Sequence, residues 1–394
     1  MTQSPAAETE RYLARVDALA PRIAAAAPDI DRARRIPEDL LDALHDAALY
    51  RMLLPRSYDG GELHPLTFMR TVQAIAGIDA STAWNIGQNA VCAIVAAYLP
   101  PESAQHIFGD ARAVLAWGPA DGPARAVACE GGYRVTGRWS FASGMRHATW
   151  LGAQCPIFEA DGSPRRASDE RTLKRVMLFP FARATHSDIW HVIGLRGTAS
   201  DGYAVDDHFV PQAYTVDRET VAENREPGWL YSFSIHSLFS CGFASISIGV
   251  ARAMLDAFIE LAAHKTPRGM RNPLRDNAVT QAGVARAQAT LESAENYLMH
   301  SVGEICDVVR TTRAVTLAQR MRIRLASTHA IHAARSVGDF AYEAAGATAV
   351  FAANPFEQRF RDLHAITQQL QGRASHFETV GQYVLGLDAD TTFL

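Results

Sequence analysis

The order of its sequence patterns constrains the fold of this chain more than any single motif does. Segments with helical periodicity occupy residues 1–111, strand-like segments occupy residues 112–226, and helical periodicity returns over residues 227–394. A block of strands between two helical regions is an uncommon order, because most folds either alternate helices with strands or use one type throughout. The sequence therefore predicts three domains with these bounds, the first and third helical and the second a β-domain.

Apolar residues at three- and four-residue spacing support the two helical regions. In the first region Pro37 suits the first position of a helix, and four apolar residues follow it, namely Leu40, Leu41, Leu44 and Ala48. In the third region an apolar stripe runs from Ile246 to Leu261. Long helices joined by short loops predict a four-helix bundle, completed by two shorter helices near residues 356–370 and 374–386.

Short runs with alternating apolar and polar residues mark the middle region. Residues 126–129 and 133–136 flank the sequence Glu-Gly-Gly, which predicts a β-hairpin. Four further strands are predicted at residues 150–158, 175–181, 189–193 and 203–210. Together these strands predict a barrel-like β-domain.

Composition excludes several classes of protein. A formal net charge of −4 gives no reason to expect nucleic acid or an anionic membrane as a partner. The five cysteines are scattered and none forms a CxxC pair, so we expect no metal site and no disulfide framework, but free thiols in a reducing cytoplasm. The first residues lack the apolar segment of a signal peptide, and the longest apolar run, residues 91–99, is too short to span a bilayer.

Four segments, at residues 138–144, 190–198, 206–211 and 359–364, resemble in sequence and in order those of the acyl-CoA dehydrogenase superfamily. The sequence RWSFASG at residues 138–144 is similar to the strand that faces the flavin in that family, and residues 190–198 and 206–211 resemble its later β-domain strands. Residues 359–364 resemble the Arg-Asp element that precedes the active-site helix. The resemblance extends over nearly the whole chain. It implies a mainly α fold with a central β-domain, and FAD or FMN as the cofactor.

A flavin ring is flat and apolar with a polar edge, so its site needs an aromatic or apolar wall and a hydroxyl group. Phe141 and Ser143 lie two residues apart on a predicted strand, so we expect their side chains to face the same way. A half-buried strand with an incidental serine is the alternative interpretation. The resemblance adds Trp117 and Ala142 to the residues expected around the flavin.

The resemblance also implies that a second subunit completes the cofactor site. Arg271 and Gln281 match the arginine and glutamine with which this family binds the cofactor phosphates across subunits, and Arg268 is an alternative. A basic loop that is merely solvated is the other interpretation. Gly346 and Ala347 match a glycine-rich turn that meets the adenine side of the cofactor. A homo-oligomer, expected to be a tetramer, follows from this resemblance.

Dehydrogenation of an acyl thioester needs a carboxylate base, and this chain lacks one at the family's positions. Those positions are Gln369 and Leu370 after the Arg-Asp element, and a second one near Gly242. An amide or alkyl group cannot act as a general base. The chain resembles instead the flavin-dependent monooxygenase branch. This implies the oxygenating component of a two-component enzyme, which receives reduced FAD or FMN from a separate flavin reductase and reacts with O2 through a C4a-hydroperoxyflavin.

In that branch Ser143 would hold the flavin N5–H, and the substrate would be a small aromatic, indole-like, amine or sulfur compound. Gln369 also stands where aromatic hydroxylases of the branch carry a histidine, so we predict His236 as the base, with His147 and His376 as alternatives. Gln369 would orient a ligand by hydrogen bonding. Two other functions stay open: another flavin oxidoreductase on this fold, either a dehydrogenase or an oxidase, and a non-catalytic interaction protein.

Overall fold

A computed structural model describes residues 5–167, 170–217 and 222–394. Asp79 illustrates how local sequence sets the helix bounds, because its carboxylate accepts the backbone N–H of Thr82 at 2.7 Å and caps the fourth helix. The N-terminal region contains α1 (Pro5–Ala33), α2 (Glu38–Asp46), α3 (Pro65–Ile78), α4 (Ala80–Cys92) and α5 (Pro101–Phe108).

The strands of the middle region join in one sheet with the order β6-β7-β3-β2-β4-β5-β8, and β1 pairs with β4 in parallel. The predicted hairpin is confirmed, since β2 and β3 pair antiparallel across the Glu-Gly-Gly turn. The strands are β1 (Leu115–Trp117), β2 (Arg125–Cys129), β3 (Gly132–Ala142), β4 (Trp150–Phe158), β5 (Lys174–Pro180), β6 (Thr185–Ser187), β7 (Asp201–Pro211) and β8 (Thr215–Val216).

Two details of the predicted β-domain are wrong. The sheet is open rather than barrel-like within the described ranges, and its edge strands β6 and β8 are only three and two residues long. The predicted strand at residues 189–193 is a loop. Its backbone N–H groups at Ile189 and Trp190 donate to the carboxylate of Asp201 at 3.2 and 3.1 Å, so they are not available to a neighbouring strand.

The C-terminal region is the predicted bundle of helices. Its central helix, α6, is long and apolar enough to cross a membrane by composition, but 89% of that apolar window is buried inside the fold. It is therefore the core helix of the bundle. The helices are α6 (Ile235–His264), α7 (Ala278–Thr312), α8 (Leu317–Ala345), α9 (Glu357–Gln368) and α10 (Ser375–Val384).

Two main apolar cores organise the described chain. The N-terminal and C-terminal helices share one core, in which α3 and α4 pack on α6. The sheet has a core of its own, built around Trp139, Phe179 and Tyr203. The helices before β1 and after β8 thus form one packed body against which the sheet lies, and the division at residues 111 and 226 stays a prediction.

Candidate active site

Ser143 lies where the sheet meets the shared helical core, directly after β3. The expectation that Phe141 and Ser143 face the same way is wrong, because the Phe141 side chain is 60% exposed and Ser143 only 4%. Phe141 has a φ of 61°, and this left-handed conformation interrupts the alternation of the strand. Ala142 points into the core of the sheet and Trp117 into the helical core, so neither side chain lies open to a ligand in this chain.

A chain of hydrogen bonds fixes the role of the Ser143 hydroxyl. Its Oγ accepts the indole N–H of Trp84 at 3.0 Å and lies 2.7 Å from the Oγ of Ser200. Ser200 in turn lies 2.7 Å from the Oγ1 of Thr198, which donates to the backbone oxygen of Leu195 at 2.8 Å. Each hydroxyl has one proton, so Ser200 donates to Thr198 and Ser143 donates to Ser200. The Ser143 oxygen therefore has one lone pair left for a ligand that donates.

Flat aromatic surfaces flank this hydroxyl. Trp84 stacks on Phe243 with ring centroids 3.8 Å apart and an interplanar angle of 2°. On the exposed side, Phe141 meets Trp190 edge to face at 5.8 Å. Apolar rings beside an acceptor oxygen fit a flat heterocycle that carries an N–H at its edge. Reduced flavin is such a group, so the residues present fit the cofactor that the sequence predicts.

His236 and Gln369 belong to a second polar cluster, which lies where α6 begins and α9 ends. The Nδ1 atom of His236 is 3.5 Å from the side-chain nitrogen of Gln371, whose backbone N–H donates to the Gln369 side chain at 2.6 Å. The side-chain nitrogen of Gln369 and the side-chain oxygen of Gln371 are buried and have no partner within the described residues. The cluster thus has unused hydrogen-bonding capacity for a ligand.

The two alternative histidines make structural contacts. Burial lowers the pKa of His147 to about 3, and its Nε2 lies 3.3 Å from the side-chain oxygen of Asn89. Burial also lowers the pKa of His376, whose Nε2 lies 2.8 Å from the backbone oxygen of Leu370. Neither ring is held ready to exchange a proton with a ligand, so His236 remains the predicted base.

The predicted phosphate-binding residues lie at the other end of the bundle. Arg271, Gln281, Gly346 and Ala347 are all exposed there, and Lys265 at the end of α6 holds the Gly346 turn by donating to the backbone oxygen of Ala345. Gly346 has a φ of 57°, which favours glycine. From Phe243 to Lys265 the helix rises by about 33 Å, at about 1.5 Å per residue. One chain therefore does not bring these residues to Ser143.

Sequence reasoning missed several groups because distant segments supply them. Trp84, Ser200 and Gln371 come from α4, the loop before β7 and the turn after α9. Of these three, only Trp84 had a signal in the sequence, the Ser-Thr-x-Trp pattern at residues 81–84.

A cavity of about 590 Å³ opens beside the turn after α9, with two arginines and two histidines in its wall. It is lined by His332, Arg335, His364, Thr367, Gln368, Arg373, Ala374 and Ser375.

Asp362 of the Arg-Asp element joins α9 to the loop that carries Thr198. It is 1% exposed, and its Oδ1 accepts the backbone N–H of Leu195 at 2.5 Å. The adjacent Gly194 leaves no room for a side chain, since a Cβ there would lie 2.2 Å from the backbone oxygen of Arg361. Burial raises the pKa of Asp362 to about 7. Asp362 therefore fixes the loop at Leu195, to which the hydrogen-bonded hydroxyls of Thr198, Ser200 and Ser143 are connected.

The raised pKa of Asp362 predicts a pH-dependent stability. Between about pH 4 and pH 7 the folded state keeps a proton that the unfolded state has released, so stability falls as pH rises through this window. Asp362→Asn retains the acceptor oxygen but cannot ionise. Its free energy of unfolding relative to the wild type should therefore increase by up to about 1.4 kcal/mol per pH unit across the window. Urea unfolding at several pH values measures this. Asp17→Asn on the exposed face of α1 is the control, and parallel pH curves for Asp362→Asn and wild type would contradict the assignment.

Family models match both helical regions of the chain. Residues 7–109 match the N-terminal domain of acyl-CoA dehydrogenase, and residues 241–371 match its C-terminal domain. Together they cover more than half of the chain. The solved structure of XiaF from Streptomyces sp. in complex with FADH2 and glycerol superposes with a TM-score of 0.91 at 23% identity, covering 99% of this chain and 98% of that one. These matches confirm the predicted fold.

Curated relatives of similar length are flavin-dependent monooxygenases. Indole-3-acetate monooxygenase of Pseudomonas putida is 28% identical, over 86% of this chain and 85% of the relative. The oxygenase subunit HsaA of Rhodococcus jostii, a flavin-dependent monooxygenase, is 27% identical over 89% of this chain and 92% of the relative. The 3-HSA hydroxylase of Rhodococcus sp. RHA1 superposes with a TM-score of 0.88 at 24% identity, covering 98% and 99% of the two chains. With its helix–sheet–helix fold and these family matches, the chain belongs to the acyl-CoA dehydrogenase superfamily, and its curated relatives include flavin-dependent monooxygenases.

Proposed function

We propose that this protein is the oxygenating component of a two-component monooxygenase, with reduced FAD or FMN supplied by a separate flavin reductase. The observation that carries the proposal is the hydrogen-bond chain at Ser143, which leaves that oxygen as an acceptor only. Reduced flavin presents an N–H at its N5 edge, so it complements this acceptor. When bound, the reduced flavin would supply the activation of O2.

The protein's own residues would bind the flavin, orient the substrate and shield both from water. Ser143 accepts the N5–H, and the stacked pair of Trp84 and Phe243 keeps water from the ring. His236 takes a proton from a substrate that must ionise, and Gln369 orients the substrate through its free amide nitrogen. An amide in place of a carboxylate argues against acyl-CoA dehydrogenation.

The substrate class proposed is a small electron-rich molecule, either an aromatic or indole-like ring, an amine or a sulfur compound. The names of the relatives favour an aromatic ring, since they include an indole-3-acetate monooxygenase and a resorcinol hydroxylase. We further propose a soluble, cytoplasmic protein, in line with its five free cysteines.

Turnover with a flavin reductase, a nicotinamide cofactor and air tests this function. We expect the protein to lower the hydrogen peroxide released by the reductase, and a substrate to lower it further as product forms. Reduction of bound flavin by an acyl-CoA in the absence of reductase would instead support a dehydrogenase. Failure to bind either flavin in the reduced or oxidised form would support the non-catalytic alternative.

We also propose that two subunits share each flavin, in a homo-oligomer that is expected to be a tetramer. The separation of about 33 Å along α6 supports this, because Arg271 and Gly346 cannot reach a flavin at Ser143 of their own chain. Arg271→Ala should weaken flavin binding about 10-fold or more, since it removes a charge-assisted hydrogen bond to phosphate. Equilibrium dialysis measures this, and Arg275→Ala in the same exposed loop is the matched control. Equal flavin affinities for Arg271→Ala and wild type would contradict the role of Arg271.

Mixed oligomers test the sharing directly. Co-expression of Ser143→Ala with Arg271→Ala chains should restore some sites with both groups intact, although each variant alone is impaired. Differently tagged chains isolate the mixed species. Activity equal to the mean of the two separate variants would show that each chain binds its flavin alone.

A further inference from the structure

Arg324, in the middle of α8, is a buried cation that has no carboxylate partner among the described residues. It is 1% exposed. Its guanidinium donates to the backbone oxygen of Gln371 at 3.4 Å and to the backbone oxygen of Phe393, and its Nε has no acceptor in the part of the chain that the structure describes. Burial lowers the pKa of Arg324 to about 10, so the group is still charged at neutral pH. Buried charges in proteins are normally paired, so this one requires an anion.

No side chain around Arg324 supplies that anion within the described ranges. Burial raises the pKa of the Cys241 thiol to about 12 and lowers the pKa of His376, so both are neutral near pH 7. Ser327 and Thr328 lie one turn further along the same face of α8, and their hydroxyls are buried without a partner within the described ranges. The surface around Arg324 is therefore positive and rich in unused donors.

Phe393 shows which groups this surface accepts. Its ring lies against the ring of His236, with centroids 5.7 Å apart and an interplanar angle of 89°. Its backbone oxygen is the one that Arg324 holds. The segment is anchored next to it, because the Oγ of Ser234 donates to the backbone oxygen of Leu394 at 2.9 Å. The aromatic ring and the peptide carbonyl oxygen of Phe393 thus lie next to each other beside His236 and Arg324.

We propose that Arg324 binds the carboxylate of an aromatic acid, which takes the place of Phe393 and lies with its ring against His236. The planar guanidinium matches a carboxylate through two parallel hydrogen bonds, which a backbone carbonyl cannot provide. The inference rests on the proposed function: in the proposed monooxygenase, aryl carboxylates that bind at Arg324 would be the substrates. His236 is about 10 Å before Phe243 along α6, at about 1.5 Å per residue, so the proposed ring site is about two helical turns from the aromatic wall at Ser143.

Binding of an acid and its neutral amide tests the proposal. Phenylacetate and 1-naphthylacetate are titrated calorimetrically into the full-length protein, with and without added flavin, and are compared with phenylacetamide and 1-naphthylacetamide. We expect one of the acids to bind about 10-fold to 100-fold more tightly than its amide. In Arg324→Met this ratio should fall to about 1. Arg324→Gln is a second variant that retains polar contacts and should lose the same preference.

The controls separate binding from folding and from catalysis. Arg322→Met removes a neighbouring arginine of α8 that pairs with Glu304, and it should leave the preference for the acid unchanged. Replacing an unpaired buried charge with an apolar side chain is compatible with folding, and thermal unfolding of each variant checks this. Equal binding of acid and amide to the wild type, binding of neither, or an equal loss of both in Arg324→Met would overturn the proposal. No reductant is present, so these outcomes are independent of whether the protein oxygenates a substrate.

Discussion

A His236→Gln variant is expected to hydroxylate phenolic substrates at least about 100-fold more slowly than the wild type, the contribution that a positioned general base makes. The reason is geometric. His236 lies at the start of α6, beside the side-chain amides of Gln371 and Gln369. Within the described residues, no carboxylate and no second histidine makes a hydrogen bond to these two amides, so His236 is the side chain of this cluster that can take a proton. Glutamine retains hydrogen bonding at this position but cannot take a proton.

The kcat/KM values of His236→Gln for substrates of different acidity are the measurement. A thioether or tertiary amine needs no deprotonation, so its oxidation should change by only a few-fold. Raising the pH toward about 10, the pKa of a phenol, should restore phenol hydroxylation in the variant, because the substrate then ionises by itself. His300→Gln, on the exposed face of α7, is the control. A similar loss for all substrates, with no recovery at high pH, would show that His236 has a structural role only.

A Ser143→Ala variant is expected to divert most of its reduced flavin to hydrogen peroxide. Alanine removes the acceptor for the flavin N–H, and it also leaves the buried indole N–H of Trp84 without its partner. The loss of a buried hydrogen bond of this kind costs about 1–3 kcal/mol, which corresponds to about a 5-fold to 150-fold shorter lifetime of the oxygen-reactive state. The ratio of peroxide to product, measured at constant reductase activity, should rise accordingly.

Two further serines make this test specific. Ser245→Ala removes a similarly buried hydroxyl that donates to the backbone oxygen of Cys241 within α6, away from the Ser143 hydrogen bonds, so it should leave the ratio unchanged. Ser200→Ala removes the acceptor for the Ser143 proton, so that Ser143 is no longer held as an acceptor. It should raise the ratio less than Ser143→Ala does. An unchanged ratio of peroxide to product in Ser143→Ala would show that Ser143 does not contact the flavin.

Local patterns predicted the architecture where local interactions determine it. The long helices followed from apolar residues that repeat along one face, and the hairpin of β2 and β3 followed from its turn sequence. The strand predicted at residues 189–193 failed because Asp201, eleven and twelve residues later, accepts the backbone N–H groups that a strand would need. The predicted barrel likewise failed because the edge strands β6 and β8 are short. The alternation of apolar and polar residues does not indicate which strands pair at the edges of a sheet.

The site was predictable only in part. The resemblance indicated Ser143, but the alternation rule misplaced Phe141, since a positive φ at that residue turns its side chain outward. Ser200 joins Ser143 from 57 positions along the chain. Arg324 resembles any other arginine of an amphipathic helix until the fold buries it. Such contacts depend on how separate segments pack, so no spacing in the sequence predicts them.

Transfer of one oxygen atom from isotope-labelled dioxygen to a substrate is the most direct test of the proposed monooxygenase function. The protein is combined with a flavin reductase, a nicotinamide cofactor and either FAD or FMN, and is offered indole, phenol, amine, thioether and aryl carboxylate substrates. We expect a product that contains one labelled oxygen atom, formed only when reductase, flavin and protein are all present. Products without label, or peroxide as the sole fate of the labelled oxygen with every substrate, would contradict it.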